Sequence, residues 1–158
     1  MLVAKTGLFP GDIEAFGSLG AKASADYWHR DFPYPSTATG IKAADLADGY
    51  QKASGMQWTR QLGATMSLFD AGIKALKAAT DPRGKASLAA AYAKLNVVTI
   101  VGKVDFTSGR VANVSVAPII GSQWIKSEGG KFTYDTVTTE NATDPNVPVT
   151  HKLVPCNA

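Results

Sequence analysis

"ADYWHRDFPYPSTATG", residues 25–40, sets Tyr27, Trp28, Phe32 and Tyr34 within eight positions, then two prolines, then a Ser/Thr/Gly run. The preceding "ASADYWHR" is short and aromatic-rich, the composition of a strand buried on at least one side. Pro33 and Pro35 remove ladder donors and forbid helix, so the strand is expected to end there. Thr37 or Thr39 is then placed to cap a helix. The stretch is thus a stiff aromatic crossing between a strand and a helical region.

Working toward the N-terminus, "GLFPGDIEAFGSLG" brackets a short apolar helix between glycines, with Pro10 suited to its first turn and Asp12 and Glu14 near its positive end. Toward the C-terminus, Ala43, Leu46, Ala47, Tyr50 and Ala53 share one helical face, and Gly55 supplies a left-handed stop. Trp58, Leu62, Met66, Phe69, Ile73 and Leu76 then recur at steps of three and four, predicting a second helix with this stripe packed in the core and Ala64, Ala71 and Ala75 flanking it for close approach. Asp81 and Pro82 read as the N-cap and first position of a third helix bearing Leu88, Tyr92 and Leu95.

Beyond Asn96 the period changes. "VVTIVGKVDF" is a β-branched strand, "VSVAPIIGSQWIK" is another, and "SEGG" joins the latter to "KFTYDTVTTE" as a hairpin. "NATDPNVPVTHKLVPCNA" is a polar, proline-punctuated tail.

A chain of 158 residues suits a single domain with a real core. Its net charge of +3 is spread in alternation rather than in a block, which argues against a nucleic-acid partner. "MLVAKTGLFPGD" lacks the regions of a signal peptide, and no apolar run reaches the length of a membrane span. The single Cys156 excludes an intrachain disulfide and a zinc cluster.

No nucleophile elbow, phosphate loop, dinucleotide fingerprint or calcium loop is present, so no catalytic residue, metal or cofactor is assigned. His29 and His151 are the only histidines, and His29 with nearby acids is the sole basis for a small hydrolase. Tyr27, Trp28 and Tyr34 combine apolar faces with polar handles, which suits a cleft for a small organic ligand and equally suits strand burial.

The segments "LFPGDIEAFGSLG", "ADYWHRDFPYPSTATGIKAADLADGYQKASG", "WTRQLGATMSLFDAGIKALKAA", "NVVTIVGKVDF", "VAPIIGSQWIK" and "GKFTYDTVTTEN" occur in an order that closely resembles the C-terminal part of a known family. That family is the type I periplasmic substrate-binding proteins of branched-chain amino acid ABC transporters, the extracellular ligand-binding receptors. The likeness runs from about Thr6 to Val154, and its most specific pieces are the paired helices, "TIVGKVDF", and "PIIGSQW" before "EGGKF".

The resemblance implies an α/β fold: the C-terminal portion of a two-lobe type I architecture, locally three helices followed by strands and a β-hairpin. It implies one partial domain over residues 1–158, with 6–30 in the second lobe, 31–39 a crossing, 40–110 in the first lobe, 111–140 the return crossing and hairpin, and 141–158 a tail. Function follows as the non-enzymatic, truncated or fragmentary solute-binding component of an uptake system for amino acids or related solutes. A non-binding, oligomerising fragment is the alternative.

Ligand contacts implied are Phe9 and Asp12 in the first loop and Tyr27, Trp28 and Tyr34 at the crossing. Partners would be an amino acid-like solute, an ABC permease and, because faces that pack on the family's other half would be bare, a second copy in a homodimer. The resemblance places such a protein in the periplasm.

Overall fold

Strand β1 (Ala23–Asp26) stops well before the prolines, because the chain turns at once: the Phe32 N–H donates to His29 O at 3.0 Å. The computed structural model to which this strand belongs describes residues 9–16 and 23–154. Helix α1 (Pro10–Phe16) precedes β1, and α2 (Ala43–Ser54), α3 (Gln61–Ala78) and α4 (Lys85–Ala93) follow it. Next come β2 (Asn96–Thr99), β3 (Gly102–Asp105), β4 (Ile120–Lys126) and β5 (Tyr134–Glu140).

The result is a mixed helix and sheet architecture. β1, β4 and β5 form one sheet in that order, β2 and β3 form another, and every described strand pair is antiparallel. Two groups of elements emerge from the packing: α1, β1, β4 and β5 on one side, and α2, α3, α4, β2 and β3 on the other. Residues 27–42 and 106–119 link them. Trp28, Phe32, Ala43, Ala47, Trp58, Ile100, Val101, Ile120 and Val147 form a core fed from both groups and from the tail.

The expected succession of three helices and the hairpin of β4 with β5 are both present. So is the left-handed stop at Gly55, with φ of 75°. Other expectations shift. Helix α2 is preceded by Lys42, not Thr37 or Thr39, because a turn and Gly40 at φ 76° intervene. There the Ser36 N–H donates to Ile41 O and the Gly40 N–H to Ser36 O.

Asp81 closes a turn instead of capping α4: its carboxylate accepts the Arg83 N–H at 3.0 Å, and the helix starts after Gly84. "VVTIVGKVDF" is two strands rather than one, with Ile100 and Val101 buried at the tip of a tight hairpin.

The apolar stripe on α3 is the largest correction. Helix α3 buries Gly63, Ser67, Asp70, Ala71 and Ala75, while Phe69 and Leu76 stand 61% and 45% exposed. Small residues face inward because the helix approaches Trp28 and β2 closely; a β-carbon on Gly63 would overlap the Trp28 indole. At the centre of this face Asp70 is fully buried. Its carboxylate accepts the Ser36 hydroxyl at 2.6 Å, the Ala38 N–H at 2.9 Å and the Ile100 N–H at 3.1 Å. One side chain thereby ties the aromatic crossing and the β2–β3 tip to α3.

The tail is not loose polar chain. Val147 is fully buried, and Thr138 O on β5 accepts the N–H groups of Thr150 and His151 at 3.0 and 3.1 Å.

Candidate functional site

Tyr34 stands between two prolines, each of which biases the residue before it toward extended backbone. Its hydroxyl reaches across 110 positions of sequence and donates to the Asp144 carboxylate, with oxygens at 2.7 and 2.8 Å. Asn146 Nδ2 donates to the same hydroxyl at 3.2 Å, and the Asn146 N–H donates to Asp144. Burial, and then the Asp144 carboxylate, push the Tyr34 phenol above its ordinary value.

The tip of the β2–β3 hairpin comes up against this cluster. Gly102 has φ of 94°, and a β-carbon there would meet Tyr34 at 3.3 Å and Asp144 at 3.5 Å. The positive backbone angle favours glycine, and a β-carbon would also crowd the Tyr34 ring.

Tyr34 and Asp144 line an open groove of about 820 Å³ together with Lys103, Asp105, Pro118 and Ile119. Asp105 accepts the Thr107 hydroxyl at 2.6 Å and N–H at 2.9 Å, the Ser108 hydroxyl at 2.9 Å and Lys103 Nζ at 2.9 Å. The Thr107 hydroxyl, the Lys103 ammonium and the Thr107 N–H hold its carboxyl far below the usual range. Around these charges the rim is apolar: Val98, Val116 and Ile119 are all exposed. A concave site with an apolar rim and a few fixed polar groups suits a small organic molecule carrying both kinds of surface.

A second polar cluster lies deeper. Asp26 at the end of β1 pairs with Arg60 at the start of α3 and accepts the Ser122 hydroxyl from β4. Burial raises the Asp26 carboxyl above its ordinary value, with Arg60 and Ser122 opposing. The pair joins the two groups of elements where Trp58, Trp124 and Thr136 meet.

His29, beside it, is 1% exposed. Its Nε2 lies 2.9 Å from Thr136 O, a contact that requires Nε2–H as donor, and Nδ1 lies 3.2 Å from the Asp31 backbone nitrogen and 3.3 Å from an Asp31 carboxylate oxygen. With both ring nitrogens engaged, the imidazole has the arrangement of a structural histidine.

The other residues singled out from sequence are scattered. Phe9 is exposed, and Asp12 accepts the Phe9 N–H at 2.9 Å, fastening the first turn of α1. Trp28 is fully buried. Tyr27 lines a separate apolar groove of about 270 Å³ with Leu68, Val101 and Phe106. Ser115 and Ala117 line both this groove and the Tyr34 groove, so their extended segment runs between Tyr27 and Tyr34. Phe9, Asp12 and Trp28 line neither.

Sequence reasoning did not find Lys103, Asp105, Asp144 or Asn146. "TDPN" is a legible turn, but nothing local says that it folds back on Tyr34. Among the described residues no cluster of side chains has the composition of a metal site, and no helix is long and apolar enough to cross a membrane.

No family model matches the sequence, and no curated protein matches it. Among solved structures, the chain is similar to the crystal structure of an ABC-type branched-chain amino acid transporter from Rhodopseudomonas palustris CGA009, with a TM-score of 0.62 and 15% sequence identity. The alignment covers 96% of this chain and 39% of that one, so the chain spans about two fifths of the length of the structure it matches. At this identity the likeness is one of fold.

Proposed function

We propose that the chain is the C-terminal part of a solute-binding protein of ABC uptake, which captures a small amino acid-like molecule in the periplasm for delivery to a permease. The observation that carries this reading is the structural likeness over 96% of the chain, reached at 15% identity and in agreement with the order of sequence segments. The two groups of elements linked by residues 27–42 and 106–119 support a two-lobe assignment: α1, β1, β4 and β5 with the second lobe, and the helices with β2 and β3 in the first. Closure of two such lobes about their linkers is how proteins of this architecture retain ligand.

In this reading Tyr34, with Lys103, Asp105 and Asp144, forms one bank of the ligand cleft. Tyr27 walls the adjoining groove, while Phe9, Asp12 and Trp28 line neither groove and are not assigned to this bank. The mixed polarity of the Tyr34 groove favours a ligand with a charged head and an apolar body.

A thermal-shift screen with neutral, acidic and aromatic amino acids and their amides tests the proposal. A ligand at 100 times its dissociation constant adds about 2.7 kcal/mol to stability, an unmistakable rise in melting temperature. The absence of any shift across the panel would favour the second reading, a chain that folds and associates without binding solute. That reading draws on the self-contained bonding of Asp144, whose oxygens are already met by Tyr34 and Asn146.

A further inference from the structure

The sheet of β1, β4 and β5 turns a row of polar side chains toward the interior. Residues that face each other on paired strands share one side of a sheet, as do alternate residues of one strand. The pairings of Ser24 with Ser122, Ser122 with Thr138 and Trp124 with Thr136 therefore put these residues and Asp26 on the same side. Pro10 at the start of α1 and Trp58, Thr59 and Arg60 ahead of α3 cover it, leaving a cavity that Asp26, Trp124 and Thr136 also line.

Two polar groups on this side have no partner in the protein. Trp124 is 6% and Thr136 9% exposed, yet neither the indole Nε1 nor the Thr136 Oγ1 makes a hydrogen bond. An unmet buried donor or acceptor is costly, and the great majority in native proteins meet either protein or ordered water. The cavity leaves about 10 Å³ to the centre of a water-sized sphere. By that measure one water needs roughly 10–15 Å³, so the space fits a single water and nothing larger.

We propose that this cavity is the binding site of one internal water, which accepts the Trp124 indole N–H, shares a hydrogen bond with the Thr136 hydroxyl and donates to the Asp26 carboxylate. The chemistry of the lining selects this occupant. An indole N–H can only donate and a carboxylate can only accept, and water does both at once. Arg60 already neutralises Asp26, which removes the call for a bound cation, and the carboxylate repels an anion. The water hydrates an ion pair otherwise withdrawn from solvent, and it links β4 and β5 to the pair that joins β1 to the start of α3.

Trp28 provides the internal control: its indole N–H is also buried without a protein partner, but the residue does not line this cavity. The chain has three tryptophans, so Trp124→Phe and Trp28→Phe assign the indole N–H signals of the ¹⁵N-labelled protein. In the parent chain, water should give a cross-peak to the Trp124 indole proton that is opposite in sign between NOESY and ROESY spectra, the mark of a long-lived water. Trp28 should give none.

Thr136→Val keeps the shape of the side chain and the backbone oxygen that His29 uses, and removes only the hydroxyl. By oxygen-17 relaxation dispersion this variant should hold one long-lived water fewer than the parent. No water cross-peak at Trp124 in the folded parent, a cross-peak of equal strength at Trp28, or an unchanged dispersion in folded Thr136→Val would overturn the proposal.

Discussion

Trp28 packs against Gly63 so closely that the glycine has no room for a β-carbon. The contact joins the aromatic crossing to α3, and the indole is wholly buried by it and by Trp58, whose ring meets it edge-on at 5.6 Å. Gly63→Ala must push the indole or the helix aside. The expected cost is about 1–3 kcal/mol, the range for overpacking a filled core. Urea denaturation followed by tryptophan fluorescence measures it, and an unchanged midpoint would show that the contact is not tight.

Asp70→Ala is expected to be worse. Removal of the carboxylate leaves the Ser36 hydroxyl and the Ala38 and Ile100 N–H groups without their acceptor in the interior. Each unsatisfied buried group costs about 1–3 kcal/mol, so a total of at least about 3 kcal/mol is expected. Hydrogen exchange at the Ile100 amide should accelerate beyond what the global loss of stability accounts for.

These two residues show what the sequence holds and what it leaves out. The apolar steps of α3 establish that a helix is present, but they do not say which face turns inward. A reading from hydrophobicity selects Leu62, Met66 and Phe69, with Ala71 and Ala75 beside them for close approach; the fold keeps those alanines inward with Gly63 and Ser67 and turns Phe69 out, because a close approach to Trp28 and β2 needs small side chains. Gly55 was legible as a stop, since that effect is local, whereas Thr37 and Thr39 read as helix caps and Thr39 instead joins Ser36 in a turn ahead of α2. Pairings such as Tyr34 with Asp144 depend on how distant segments are brought together, and composition and periodicity carry no record of that.

Acid should destabilise the protein partly through Asp105. Its carboxyl lies far below the ordinary aspartate value of 3.8 in the folded state, chiefly through the Thr107 hydroxyl. The folded chain therefore resists protonation that the unfolded chain accepts below about pH 4, and the contribution of Asp105 disappears as the pH falls further. Asp26 acts in the opposite direction: burial raises its carboxyl, so the folded state takes up a proton at higher pH and gains from acid. In urea titrations between pH 5 and pH 2, Asp105→Asn should lose less stability than the parent chain. An equal loss would mean that the Asp105 contacts do not persist in solution.

Calorimetric titration of the chain with neutral amino acids, followed by Tyr34→Phe, addresses solute capture most directly. The substitution removes only the hydroxyl shared by Asp144 and Asn146. Saturable one-to-one heat with at least one ligand, weakened about tenfold or more by Tyr34→Phe, is the predicted result. A complete absence of saturable heat across the series, from a chain shown to be folded, would contradict it.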